Sequence, residues 1–193
     1  MVKMSKENPI TKRSKKTIVD AMMGLLQDKS YEKITIKEIM EKADMARRTF
    51  YGNFNSKDEI MHYYFGGFFE RLSQRINKEG IASPKKLAET LFELVLEDKD
   101  NMMVAKKQGL LNMALLEKYS GEFTEFFSKN IATITNQKAF NYAAGFYLGG
   151  VWKVMEQWLG EGAKDSPKKM AEMFQNIMSV TAFNLGTQGA KQD

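Results

Sequence analysis

The stretch MARRTFYGNFNSKDE, residues 45–59, places two adjacent arginines, Arg47 and Arg48, a Thr-Phe-Tyr run and a Ser-Lys-Asp-Glu segment in fifteen residues. A guanidinium is a planar fork of donors that pairs with a guanine edge or a phosphate, and a tyrosine hydroxyl suits a phosphate oxygen. The chemistry on offer is recognition of a polyanion rather than bond making. Zero cysteines remove thiolate ligands, disulfides and a Cys nucleophile, and the one histidine, His62, leaves no cluster for zinc or a triad. There is no glycine-rich phosphate loop and no motif around His62, which reads as a surface or hinge-side residue, so neither an enzyme nor a cofactor is expected.

The charge distribution points the same way. Residues 1–57 carry 13 Lys/Arg against 7 Asp/Glu, a balance of +6, and the remaining residues carry 16 against 17, a balance of −1. A basic N-terminal module for a polyanion, joined to a nearly neutral body, fits that asymmetry; the alternative is that the lysines only keep the protein soluble. The N-terminus MVKMSKENPITKRSKK has no apolar core after its basic residues, so a cytoplasmic location is expected rather than secretion. Ala139–Trp152 is uncharged over 14 residues, shorter than the roughly 18 that suggest a bilayer span, and predicts a buried helix with no membrane partner.

The elements that must position these residues are all helical. At 193 residues the chain can form one large domain or two small ones. Pro9, Pro84 and Pro167 each precede a stretch of helical periodicity, as proline in a first helical turn does. Ile18, Met22, Leu25 and Leu26 mark a first helix ending near Asp28 to Ser30. Thr35 with Glu38 is a capping-box pattern opening a short second helix, with Ile36, Ile39, Met40 and Ala43 on one face. Asp44 suits a left-handed turn. A third short helix is expected from Ala46 to Phe54 with Ala46 and Phe50 inward. Ser56 with Glu59 starts a longer helix through Ile60, Tyr64, Phe68 and Leu72. Further helices are expected at 84–98, 100–118, 120–134, 137–160 and 167–186, with no strand pattern.

Two short helices joined by a tight turn in a basic segment match a helix-turn-helix, whose second helix enters the major groove. With Phe50 and Phe54 packed against Ile36, Ile39 and Leu25, the side chains of Arg47, Arg48 and Tyr51 are left outside. Lys57 and the helix starting at Ser56 make a candidate phosphate clamp, and Thr35 holds the same position on the second helix.

The run TIKEIMEKADMARRTFYGNFNSKDEIM, with LLQDKSYEKI before it, resembles the DNA-binding domain of TetR-family transcriptional regulators. Thr35, Ile39, Ala43, Thr49, Tyr51, Phe54, Ser56 and Lys57 stand at signature positions, while Asp44, Ala46 and Gly52 depart from the usual pattern. The resemblance implies DNA contacts from Thr35, Arg47, Arg48, Thr49, Tyr51, Asn53 and Lys57. It implies an all-α fold, a three-helix DNA-binding domain over residues 1–57 and a helical effector-binding and dimerisation domain over residues 58–193.

GFYLGGVWKVMEQWLGEGAKDSPKKMAEMF resembles the tail of a TetR-family subgroup, which implies that the last two helices pair with those of a second subunit. Gly145, Gly149 and Gly150 suit close helix approach, and Met170, Met173, Phe174, Ile177 and Met178 share one side of the last helix, with Trp152 on the helix before it. The alternative is that the same side chains pack within one subunit. For the body the family implies an effector cavity. Met102, Met103 and Met113, with Phe123, Phe127, Tyr147 and Trp152, are its candidate lining, suited to lipophilic ligands; the alternative is plain core. The function implied is a homodimeric, ligand-responsive repressor released from a pseudo-palindromic double-stranded DNA operator by a small lipophilic effector. An architectural DNA binder without an effector and a transcriptional activator are the alternatives.

Overall fold

A computed structural model of the chain describes residues 8–80, 83–112, 114–119, 121 and 136–188, with side chains as far as 179. The helices are α1 (Pro9–Leu26), α2 (Ile36–Lys42), α3 (Arg47–Tyr51), α4 (Lys57–Glu79), α5 (Pro84–Glu97), α6 (Lys99–Lys107), α7 (Gln137–Gly160) and α8 (Pro167–Gln188). No strand occurs among the described residues. All three prolines are the first residue of a helix, where the missing N–H would have no intrahelical partner anyway. Asn8, Ser83 and Asn136 cap α1, α5 and α7 through their side chains.

The periodicity over 100–118 predicted one helix, and the structure breaks it. Gly109 takes φ +68°, Leu110 N–H donates to Ala105 O at 2.9 Å and Gly109 N–H to Lys106 O at 3.0 Å, which closes α6 in a glycine-dependent C-cap. Residues 114–119 are helical again. The helix expected over 120–134 lies almost wholly outside the described residues.

The described chain forms two compact units. One holds the chain as far as Arg71 together with Val104–Leu111; the other holds Leu72–Met103 and the chain from Asn112 onward. In the first, Ile18, Met22 and Leu26 of α1, Ile39 of α2, Phe50 of α3 and Ile60 of α4 are fully buried. Leu25 and Ile36, expected in this core, are half-buried; α1 turns Met22, Met23 and Leu26 inward, and α2 turns Ile39 and Met40 inward. Phe54 packs its ring 6.1 Å from that of Phe50 and 5.8 Å from that of Tyr63. Truncating a buried Phe to Ala costs about 3–5 kcal/mol, a large share of a small domain's stability, so Phe50 fixes which way α3 faces.

In the second unit α5 packs on α8: Leu87, Ala88, Leu91 and Phe92 are buried, as are Met170, Ala171 and Phe174. Phe92 meets Trp158 edge-on at 5.3 Å, and Tyr147 meets Phe174 edge-on at 5.1 Å. A Cβ on Gly150 would come within 3.3 Å of the Phe174 ring, so this glycine serves packing inside one chain. The uncharged stretch 139–152, expected as a buried helix, is buried only from Tyr147 onward; Tyr142 and Phe146 are exposed in the isolated chain. No helix among the described residues is long and apolar enough to cross a membrane.

Candidate nucleic-acid interface

The turn between α2 and α3 depends on Asp44, whose φ of +52° is the left-handed conformation that Asp tolerates better than most residues. α3 follows as a five-residue helix with Ala46 at its N-cap, exposed rather than inward as the sequence suggested. Burial of Phe50 leaves Arg47, Arg48 and Tyr51 on the exposed face, with Thr49 half-buried. Arg47 Nη2 donates to the Tyr51 hydroxyl at 3.3 Å, and its guanidinium lies 5.9 Å from the Tyr51 ring centroid. This (i, i+4) pair restricts both side chains and holds two donor groups on one surface.

Three other residues assigned to DNA by resemblance direct their polar atoms within the domain. The Thr35 hydroxyl accepts from Glu38 N–H at 3.3 Å, while the Glu38 carboxylate accepts from Thr35 N–H at 3.0 Å, a complete capping box. Asn53 Nδ2 donates to Thr49 O at 2.7 Å, closing the end of α3, and its Oδ1 is buried without a hydrogen-bond partner. Lys57 Nζ donates to the carbonyls of Tyr31, Glu32 and Ile34 at 2.7, 3.1 and 3.4 Å and sits 4.4 Å from the Tyr31 ring centroid. An ammonium has three donors, and three carbonyls occupy them. The Ser56 hydroxyl caps Glu59 N–H at 3.2 Å, and the Glu59 carboxylate takes Asn55 N–H at 2.9 Å, one residue before the expected partner.

Glu38 also accepts from Lys29 Nζ at 2.5 Å, and Lys29 first, then the Thr35 bonds, lower its carboxyl from the ordinary 4.5 to about 2. A carboxyl lowered on folding stabilises the fold above its unfolded value and loses that effect as pH falls through the folded one. The melting-temperature gap between wild type and Glu38→Gln should therefore be constant above about pH 5 and close between pH 4.5 and 2. A gap that persists unchanged at pH 2 in thermal melts would show that Glu38 acts by packing instead.

Sequence reasoning missed the groups that hold the loop joining α1 to α2. The Tyr31 hydroxyl donates to Asp58, and burial, then Asp58, raises its pKa. Gln108, which follows α6, reaches the same loop from 77 residues away. No local pattern announces such a contact.

Of the candidate effector contacts, Met102, Tyr147 and Trp152 are buried and Met103 is half-buried. Met113, Phe123 and Phe127 lie outside the described residues. The Tyr147 hydroxyl donates to Pro84 O, and burial raises its pKa. The candidate dimer residues divide: Trp152, Met170 and Phe174 are interior to one chain, and Gly149 and Met178 are half-buried. Met173 and Ile177 are 39% and 48% exposed, and with them go Tyr142 at 71% and Phe146 at 61%, which the sequence reading passed over. A Cβ on Gly145 or Gly149 would meet nothing within 4 Å.

Residues 18–64 match the family model "Bacterial regulatory proteins, tetR family", and residues 108–180 match "Transcriptional regulator C-terminal region". The chain is 25% identical over 181 residues to the uncharacterized HTH-type transcriptional regulator YuxN of Bacillus subtilis, a match covering 86% of this chain and 62% of the relative. It is 32% identical over 59 residues to the HTH-type dhaKLM operon transcriptional activator DhaS of Lactococcus lactis, covering 31% of this chain and 32% of the relative. The chain thus spans less than two thirds of either relative. In fold it is similar to a TetR transcriptional regulator from Streptococcus agalactiae, with a TM-score of 0.63 at 16% identity over 87% of this chain and 94% of that one.

Proposed function

The chain belongs to the TetR family of bacterial transcriptional regulators, and from that premise we propose that it is a homodimer that represses transcription from a pseudo-palindromic operator until a small lipophilic effector releases it. The observation that carries the DNA-reading part is the outward face of α3, where Arg47, Arg48 and Tyr51 stand opposite the buried Phe50. Selection of bound fragments from a random-sequence DNA pool tests it: an enriched inverted repeat with half-sites about one helical turn apart, or a multiple of it, is expected. Absence of any enriched sequence would refute it.

The exposed apolar residues Tyr142, Phe146 and Met173 support pairing through α7 and α8. The effector role rests on family kinship and on the Met- and aromatic-rich second unit, with Met102, Met103, Tyr147 and Trp152 as described candidates. If a ligand favours the conformation that binds operator poorly, operator must weaken ligand by the same factor, typically about 5- to 150-fold. The kinship with DhaS, named as an activator, favours activation as the second reading. Transcription from a selected fragment, with and without the protein, separates the two by the sign of the response.

Thr35, Thr49 and Asn53 remain DNA contacts in this proposal, Thr49 by its hydroxyl and Asn53 by the second N–H of its amide. Lys57 acts from inside, as a brace on the α1–α2 loop. Lys57→Ala should weaken binding to all sequences and leave the dependence on log[salt] unchanged, whereas a lost phosphate contact would flatten it by about one unit.

A further inference from the structure

Residues 27–35 cross from α1 to α2, and a connection of this kind must satisfy backbone groups that no helix ladder serves. Three residues of α1's end and the loop, Leu26, Lys29 and Tyr31, converge on one side chain. Gln108 Nε2 donates to Leu26 O at 2.9 Å and to Lys29 O at 3.2 Å, and its Oε1 accepts from Tyr31 N–H at 3.2 Å. The primary amide uses both kinds of group at once, capping α1 and pinning the turn that follows. Lys57 holds the opposite stretch of the loop through the Tyr31, Glu32 and Ile34 carbonyls.

Gln108 is itself held in place. It lies between α6 and Gly109, whose left-handed φ closes the C-cap, and Val104, Ala105 and Leu111 around it are buried in the unit that contains α1 to α3. A segment 77 residues beyond the loop is therefore part of the helix-turn-helix unit.

We propose that Gln108 is a positioning residue for DNA binding: its amide sets the path of the α1–α2 loop, hence the start of α2 at Thr35 and the presentation of α3. This rests on the DNA-binding reading above. Gln108 acts through backbone and touches no phosphate, so its removal should lower affinity while leaving the number of released counterions unchanged.

The test uses the full-length protein and a DNA fragment that the wild type has selected from a random pool. Gln108→Ala, measured well below its melting temperature, should bind that fragment about tenfold more weakly, in keeping with the loss of several hydrogen bonds each worth a small factor. Its salt slope should match wild type, and the Tyr31 amide should exchange faster with deuterium. Gln108→Met keeps the length of the side chain without charge and removes its donors and acceptor; it should lose affinity to a similar degree, and it carries the test if the alanine variant does not fold. A variant that melts lower yet binds as tightly as wild type overturns the proposal, as does a flattened salt slope. If the wild type selects no fragment at all, the DNA-binding reading itself has failed.

Discussion

On the proposed pairing through α7 and α8, replacing Phe146 and Met173 together by glutamate should give a monomer and lower operator affinity by about 10²- to 10⁴-fold, the gain that linking two binding modules confers. Both side chains are exposed apolar groups on the isolated chain, one on α7 and one on α8. Burying a carboxylate against a copy of itself is costly, and in a two-fold interface every substitution is made twice. The fold should survive the change, because the core of the second unit is the α5–α8 packing around Phe92, Phe174 and Trp158, which neither substitution removes, and the first unit carries neither residue. Light scattering should report a monomer, and the variant should bind a half-site as well as wild type does. A dimer that persists would place the interface elsewhere. A monomer that still binds the full operator tightly would show that pairing is not what gives affinity.

The features legible in the sequence are those decided within one turn of helix. Pro9, Pro84 and Pro167, the Thr35–Glu38 capping box and the Asp44 turn are local choices of backbone conformation, and the pattern Arg47, Arg48, Phe50, Tyr51 already separates an outer face from an inner one. What escaped is decided by distant groups or by exposure. Lys57 reads as a free cation until the carbonyls of residues 31, 32 and 34 are brought to it. Gln108 gives no pattern at all, although Gly109 beside it was a visible helix terminator that periodicity over 100–118 overrode. Tyr142 and Phe146 misled for another reason. An uncharged run signals burial without saying whether the cover comes from the same chain or a second copy.

Arg47→Ala and Arg48→Ala should each weaken operator binding, and the arginine that reads a base should also lose discrimination, by about 1–3 kcal/mol at one base pair. The two are not equivalent. Arg47 is tethered by its bond to the Tyr51 hydroxyl, so it pays less side-chain entropy on binding but must exchange that bond or share it. Arg48 makes no such bond to Tyr51 among the described residues. Tyr51→Phe separates the possibilities: it removes the tether and the hydroxyl but keeps the ring. If Arg47 depends on Tyr51, combining Tyr51→Phe with Arg47→Ala should cost less than the sum of the two singles, whereas Tyr51→Phe with Arg48→Ala should be additive. Titrations against the selected operator and against copies altered at one base pair per half-site supply the numbers. A base-reading arginine loses its preference at one position only, and a phosphate-binding one weakens every sequence alike and flattens the salt dependence. Unchanged affinity in both single variants, with the protein folded and dimeric, would remove α3 from the DNA and with it the assignment of Arg47 and Arg48 as the residues that read the sequence.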